Sequence, residues 1–284
     1  MIEIRHKETG EVLRVLEADS LVGADLRDDI LDGADLRGAD LSNAWLQEAD
    51  LIGADLSGAK LKGAVLVRTQ LDQADLNGAL FEEARLSDGS PGSGAVLTNC
   101  DMRGVRLVSC DMRHVDLHGS DLSDAWIDRT DLSSACFREA RLPRVRISGS
   151  LLIESLLSGA DLSDADIQST HMNGAKLYRA RLDRTKLGGG GERIPVVLNL
   201  ANMREASLVD ADLRGASLRD VNLHHADLTR ADLEGAQLMG AVLRHAEVTD
   251  ANFKGVPLVT VNITFANFSR AKNADVPAFK QNVR

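Results

Sequence analysis

The 284 residues carry 43 Asp and Glu against 33 Lys and Arg, a formal charge of −10 at pH 7. Such a balance argues against nonspecific DNA or anionic-membrane binding, because phosphates attract Lys/Arg surfaces. Aromatic residues make up only 3% of the chain, so the bulky side chains of ordinary globular interiors are scarce and any core must be thin.

The hydrophobic fraction of 44% is ordinary, and the charges are interspersed rather than blocked, which predicts a folded chain rather than a disordered one. No apolar stretch approaches membrane-spanning length, and charges run through Met1 to Glu17 where a secretory leader needs an apolar run. A cytoplasmic protein with no membrane partner is expected. Cys100, Cys110 and Cys136 form no even disulfide framework and no close-paired zinc spacing. They are expected to be reduced and structural.

In chain order, the first element is a hairpin. Ile2, Ile4, Val12, Leu13, Val15 and Leu16 flank Thr9-Gly10, which predicts a β-hairpin cap over residues 1–18. A fixed period then begins. From Gly23 to Leu56 the triplets Ala24-Asp25-Leu26, Ala34-Asp35-Leu36, Ala39-Asp40-Leu41, Ala49-Asp50-Leu51 and Ala54-Asp55-Leu56 recur in steps of five or ten.

Taking the Leu as the centre of a five-residue unit, one register runs from Leu21 to Leu86, a second from Leu97 to Leu187 and a third from Leu198 to Phe268. These hold 14, 19 and 15 centres, 48 in all. A period of five fits neither 3.6 nor 2.0, so no continuous helix or strand keeps these positions on one side. The chain must turn once per unit, with the centre and the small residue two before it pointing inward. Such units bury their apolar faces only by stacking on a neighbour.

The pattern resembles the pentapeptide repeat family over nearly the whole chain, from Leu21 to Phe268. The resemblance implies an all-β fold, a right-handed quadrilateral β-helix with four units per coil. About twelve coils at a strand spacing of about 4.8 Å give a rod of roughly 58 Å. Replacements of the inward Ala fit this interior, since Val105, Val115, Val145, Ser120, Ser155, Thr130, Thr170, Cys100 and Cys110 are all small. Asp19 and Asp29 depart from it at inward positions of the first coil, which is therefore expected to be irregular.

The solenoid is expected over residues 19–268, interrupted near 87–96 and 188–197. At each break the spacing between centres is 11 residues, and the extra residues include Ser87 to Gly94 and Gly188 to Pro195. Gly, Ser and Pro runs of this kind predict protruding flexible loops. Two readings stay open for them, insertion tolerated at a corner and a partner-contacting loop using Ser90, Pro91, Glu192 and Arg193. Residues 269–284 leave the pattern as a C-terminal cap or dimer segment, and an end coil is a candidate for homodimer contact.

Residues 20 apart should stack on successive coils. One face then carries Asp35, Asp55 and Asp75, and another Asp101, Asp121, Arg141, Asp161 and Arg181. A third, mostly basic, runs Arg106, Trp126, Arg146, Asp166 and Lys186. The recurrent Asp has a structural reading too, since its side chain can bond neighbouring backbone at the turn. Exposed apolar residues point to a contact more directly. Trp45 with Val65, and Cys136 with Leu156 beside Leu151, are the candidates.

His225 and His245 should also stack, with Glu205 one coil earlier, but the sequence reading assigns no metal, cofactor or catalytic site. Gly188 to Gly191 lacks the following Lys-Ser/Thr of a phosphate loop, and no nucleophile, base and oxyanion set is recognisable.

Function is thus expected to be non-enzymatic. The resemblance extends to the Qnr-like and MfpA-like branch, and what it implies is a DNA mimic that binds DNA gyrase or topoisomerase IV and protects it from poisons. The alternative is a general protein-protein scaffold for another partner. In either case the partner is a protein and nucleic acid is not bound directly.

Overall fold

The computed structural model describes residues 1–190 and 193–280. Among them the regular elements are short strands and two 3-10 turns, with no α-helix. No helix is long and apolar enough to cross a membrane. The chain forms two compact units, Met1–Arg141 and Leu142–Arg284, each built from the same five-residue step.

The step is a turn with a defined backbone. The main-chain N–H of the inward small residue donates to the carbonyl of the preceding centre, as in Ala54 to Leu51 at 3.0 Å and Ala206 to Met203 at 3.1 Å. The second residue after most centres takes a left-handed conformation, shown by Asn43 at φ 58°, Gly53 at 64° and Glu205 at 58°. A four-residue turn closed this way with φ above zero at its third residue requires Gly or Asn for least strain. Gly meets that requirement at many turns, and Arg, Asp, Glu, Ser and His adopt the same conformation at others.

Each turn redirects the chain, and four turns return it above its start. Parallel bridges consequently join residues 20 apart, among them Asp25 to Trp45, Ile30 to Asp50, Asp35 to Asp55 and Asp40 to Lys60. These four run along four sides of the first unit, the quadrilateral parallel β-helix that the repeat implied. In that unit the strands β3 (Leu80–Glu82), β4 (Arg106–Val108) and β5 (Trp126–Asp128) lie side by side in parallel. In the second unit β6 (Arg146–Ser148) and β7 (Asp166–Gln168) do the same.

The interior follows the sequence assignment. Centres such as Leu51, Phe81, Met112, Ile147 and Val248, and inward small residues such as Ala54, Val105 and Ala226, are buried. Inward hydroxyls and thiols bond main-chain carbonyls, several of them that of a centre one coil below, whereas Ser155 bonds Leu152 and Thr170 bonds Gln168 of their own coil. Thr69 donates to Leu46 at 2.6 Å, Thr185 to Leu162 at 2.8 Å and the Cys100 thiol to Leu71 at 2.9 Å. Small polar residues therefore replace Ala without leaving an unpaired group in the core.

The first unit opens with β1 (Ile2–Arg5) and β2 (Val12–Leu16), paired antiparallel. The hairpin joins the solenoid through Asp35 N–H to the Arg5 carbonyl at 2.7 Å and Lys7 N–H to the Gly33 carbonyl at 2.8 Å. The first coil corrects one expectation. Asp19 does not point inward but is fully exposed, 3.7 Å from the N-terminal amine. Asp29 is inward and partly buried, with Arg14 of the hairpin 3.1 Å from its Oδ2. Burial pushes its carboxyl above the usual range, and Arg14 works in the opposite sense.

The segment after Leu86 also differs from the flexible loop expected. Ser87 and Ser93 are buried, and their hydroxyl oxygens lie 2.9 Å apart. The Ala95 N–H returns to the Leu86 carbonyl at 2.8 Å. The extra residues thus close on themselves, and only Ser90, Pro91 and Gly92 at the tip, with Asp88, are exposed. Hydroxyls that read as flexible composition serve here as the clasp.

At the far end of the second unit the chain makes two 3-10 turns, Phe268–Arg270 and Ala278–Lys280. The Lys280 ammonium donates to the carbonyls of Leu258 at 2.8 Å and Val261 at 2.6 Å.

A β-carbon added at Gly94 would overlap the main-chain carbonyl of His114, whereas one at Gly58 meets nothing within 4 Å. Gly94→Ala is expected to lower stability by about 1–3 kcal/mol, as overpacking against backbone does. Gly58→Asn, placing at φ 66° a residue that tolerates it, should stay within about 0.5 kcal/mol. Urea denaturation midpoints of the two variants check this.

Candidate functional site

The residue before each centre points outward, and the bridges stack these residues into columns. In the first unit one column is Asp35, Asp55, Asp75, Asp101 and Asp121, each bridged to the next and the last to Arg141. The sequence reading had placed Asp35, Asp55 and Asp75 on one face and Asp101 and Asp121 on another. That division is corrected, because the inserted segment makes the step from Asp75 to Asp101 a single coil. Five carboxylates therefore follow one another at the strand spacing of about 4.8 Å.

The same five side chains close their own turns. Oδ1 of each accepts the main-chain N–H two residues on, from Arg37 at 3.4 Å, Ser57 at 3.0 Å, Asn77 at 2.9 Å, Arg103 at 3.2 Å and Ser123 at 2.9 Å. Three guanidiniums temper the charge. Arg37 pairs with Asp35 at 2.6 Å and reaches Asp55 at 3.8 Å, Arg103 pairs with Asp101, and Arg141 lies 3.8 Å from Asp121. The hydrogen bonds from Arg37 and Arg103 hold the Asp35 and Asp101 carboxyls below the usual carboxylate range. All five aspartates are partly exposed.

Aromatic side chains occupy two other columns of this unit. Trp45, 48% exposed, is bridged to Asp25 and Val65, and the Arg27 guanidinium lies 5.6 Å from its ring. Trp126, on β5 beside Arg106 of β4, has that guanidinium 4.4 Å from its ring, and Leu80 on β3 is exposed below Arg106. Leu80 was missed in the sequence because the step from it to Arg106 crosses the insertion. Cys136 is half-buried and bridged to Asp116.

In the second unit Leu151 is bridged to His171 and Leu156 to Lys176, so the two lie in different columns and are half-buried. Arg146, Asp166 and Lys186 do stack, followed by Asp212 and Asp232. Arg193 is drawn in toward this column, 2.7 Å from Asp166 Oδ1, which occupies a side chain expected to be free for a partner. Glu192 lies outside the described residues.

His225 and His245 stack as expected, ring centroids 4.7 Å apart and 6° from parallel. Glu205 does not join them, because it accepts hydrogen bonds from Arg179 at 2.7 Å and Tyr178 at 3.2 Å. His224 does, its ring set edge-on to both histidines at 4.4 and 5.7 Å. The sequence signal for it was its place next to His225 at the same corner. Desolvation, followed by the neighbouring His225, pushes the imidazoles of His224 and His245 below the usual histidine range.

The sequence profile of the family described as pentapeptide repeats matches the chain in eight copies, over residues 20–58, 49–88, 93–125, 146–184, 197–235 and 236–272. A search of curated proteins finds no match. Among solved structures, the chain is similar to HetL of the cyanobacterium Nostoc sp. strain PCC 7120, a pentapeptide repeat protein involved in heterocyst differentiation regulation. The identity is 27%, over 80% of this chain and 86% of that one, with a TM-score of 0.34. It is also similar to full-length QnrB1, a plasmid-mediated fluoroquinolone resistance protein, at 18% identity over 77% of this chain and 94% of that one, with a TM-score of 0.49.

The three thiols differ sharply in environment. Burial pushes Cys100 up to about 12 and Cys110 up to about 11, and the same cause raises Cys136, which is only half-buried. The thiolate is the reactive form, so only Cys136 is expected to react with a small disulfide reagent in the native protein. All three should react after unfolding. Thiol titration with and without denaturant measures this, and a second fast-reacting native thiol would contradict it.

Proposed function

Because the chain belongs to the pentapeptide repeat family, we propose that it acts without catalysis as a protein-binding solenoid whose acidic column occupies the DNA-binding surface of DNA gyrase or topoisomerase IV. The observation that carries this reading is the unbroken run Asp35, Asp55, Asp75, Asp101 and Asp121. A DNA strand presents one phosphate charge about every 3.4 Å, and the column presents one carboxylate at about 4.8 Å. A basic saddle built for the first spacing meets a comparable row of charges in the second. Protection of the enzyme from a cleavage-stabilising poison follows if the protein and DNA compete for that saddle.

A general protein scaffold is the second reading. It is favoured by the exposed Trp45 and by Trp126 with Leu80, since aromatic side chains packed beside arginine are the residue types that anchor protein interfaces. Either reading accommodates two copies joined through an end coil, where Val259 and Phe265 are exposed. Light scattering that finds only a 30.6 kDa species removes the dimer and leaves both readings standing.

The test uses substitutions that spare the fold. Asn keeps the acceptor that closes each turn and removes the charge, so Asp55→Asn, Asp75→Asn and Asp121→Asn are combined in one variant. The native protein is expected to inhibit gyrase supercoiling, or to relieve the poison, in a salt-sensitive way. The triple variant should need about tenfold more protein for the same effect, a loss of about 1.4 kcal/mol. Ser90→Gly with Pro91→Gly, at the tip of the clasped loop, reports separately on the loop. No effect of the native protein at high excess sinks the DNA-mimic reading and leaves the scaffold, whose partner a pull-down must identify.

A further inference from the structure

The second unit holds one group of side chains that neither reading uses. His224, His225 and His245 each bring a ring nitrogen into one cluster, and these atoms all lie within 4.8 Å of one another. We propose that the three imidazoles form a binding site for a divalent transition metal of the zinc, copper, nickel and cobalt class.

Two observations support a ligand there. First, His224 Nδ1 is buried and has no hydrogen-bond partner, and a buried polar atom left unpaired is costly unless something else meets it. Second, the geometry is close to a known coordination. Zinc takes nitrogen ligands at about 2.0–2.1 Å in a tetrahedral array, which sets its ligands about 3.4 Å apart. The imidazoles need to converge by little more than 1 Å, roughly what small side-chain rotations provide. His225 and His245 stand at the outward corner of successive coils, away from the core, and the rotation gives up part of the stack that His245 shares with Phe265.

The chemistry narrows the class of ion. Three nitrogens and no carboxylate disfavour Mg²⁺ and Ca²⁺, which take oxygen ligands, and suit borderline cations. Arg204 and Arg244 line the same open depression as His224. Their charge opposes a bare cation and favours an anion, hydroxide or chloride, as the fourth ligand. Glu205, the carboxylate the column offered, is held away by Arg179 and Tyr178.

The experiment titrates untagged full-length protein with Zn²⁺ by calorimetry and with Co²⁺ by visible absorption. His225→Asn and His245→Asn preserve a residue that accepts left-handed backbone, and circular dichroism verifies their fold. One Zn²⁺ per chain is expected, with an intense tetrahedral Co²⁺ band, and at least about tenfold weaker binding in each variant. Glu205→Gln should bind as the native protein does. Zn²⁺ binding equal in the native protein and in a variant lacking all three imidazoles overturns the proposal. So does calorimetry in which sulfate binds the Arg204 and Arg244 depression while Zn²⁺ does not bind at all.

Discussion

A core one Ala and one Leu deep cannot hold a coil closed, so the structure depends on the main-chain ladder between residues twenty apart. Leu51 N–H donates to the Gln70 carbonyl at 2.7 Å, and Gln70 N–H returns to Ala49 at 3.0 Å. Each such bond contributes only about 0.5–1.5 kcal/mol net, but every coil makes them on all sides. Stability in each unit is therefore mostly a matter of neighbouring coils. Inward Thr69, Thr185, Cys100 and Cys110 strengthen the same contact by bonding a carbonyl of the coil below, which explains how a polar residue enters so narrow an interior.

The ladder also decides what the surface looks like. Aspartate is selected locally, because its carboxylate closes the turn, yet the twenty-residue stacking sets like charges one above another. At about 4.8 Å in water two such charges repel by about 1 kcal/mol. The chain relieves this along the run with Arg37, Arg103 and Arg141. In the middle, Asp55 is followed by Ser57 and Asp75 by Asn77, so neither has an arginine of its own turn. Arg37 still reaches Asp55 at 3.8 Å, so charge is least compensated at Asp75, where a basic partner would gain most.

The period of five was legible because each unit states its own geometry: a small residue, an outward polar residue, a centre and two small or polar residues. The interior assignment followed from that alone. The columns were harder to read, since each insertion changes the step between stacked residues from 20 to 26. The reading at fixed spacing therefore split the acidic column and missed Leu80. Composition misled at Ser87 and Ser93, where hydroxyls clasp a loop that their abundance suggested was free. At Asp19 the repeat register continued on paper past the point where the hairpin takes over the chain. The pairing of Arg193 with Asp166 was invisible because it joins a loop to a column through space.

The corners of the turns carry a different kind of information from the columns. A side chain at the left-handed position costs about 1–2 kcal/mol over glycine, and it faces away from the core, so packing does not explain its presence. His225 at φ 58°, His245 at 57° and Phe265 at 61° all incur that cost in successive coils. Their rings stack, with His245 and Phe265 centroids 4.7 Å apart and 12° from parallel, and a stacked pair returns about 0.5–1.5 kcal/mol. Stacking thus offsets much of the backbone strain and accounts for three rings in a row. It does not account for His224, which stands edge-on to the stack with a buried, unpaired nitrogen, and that nitrogen is the feature a bound cation would explain.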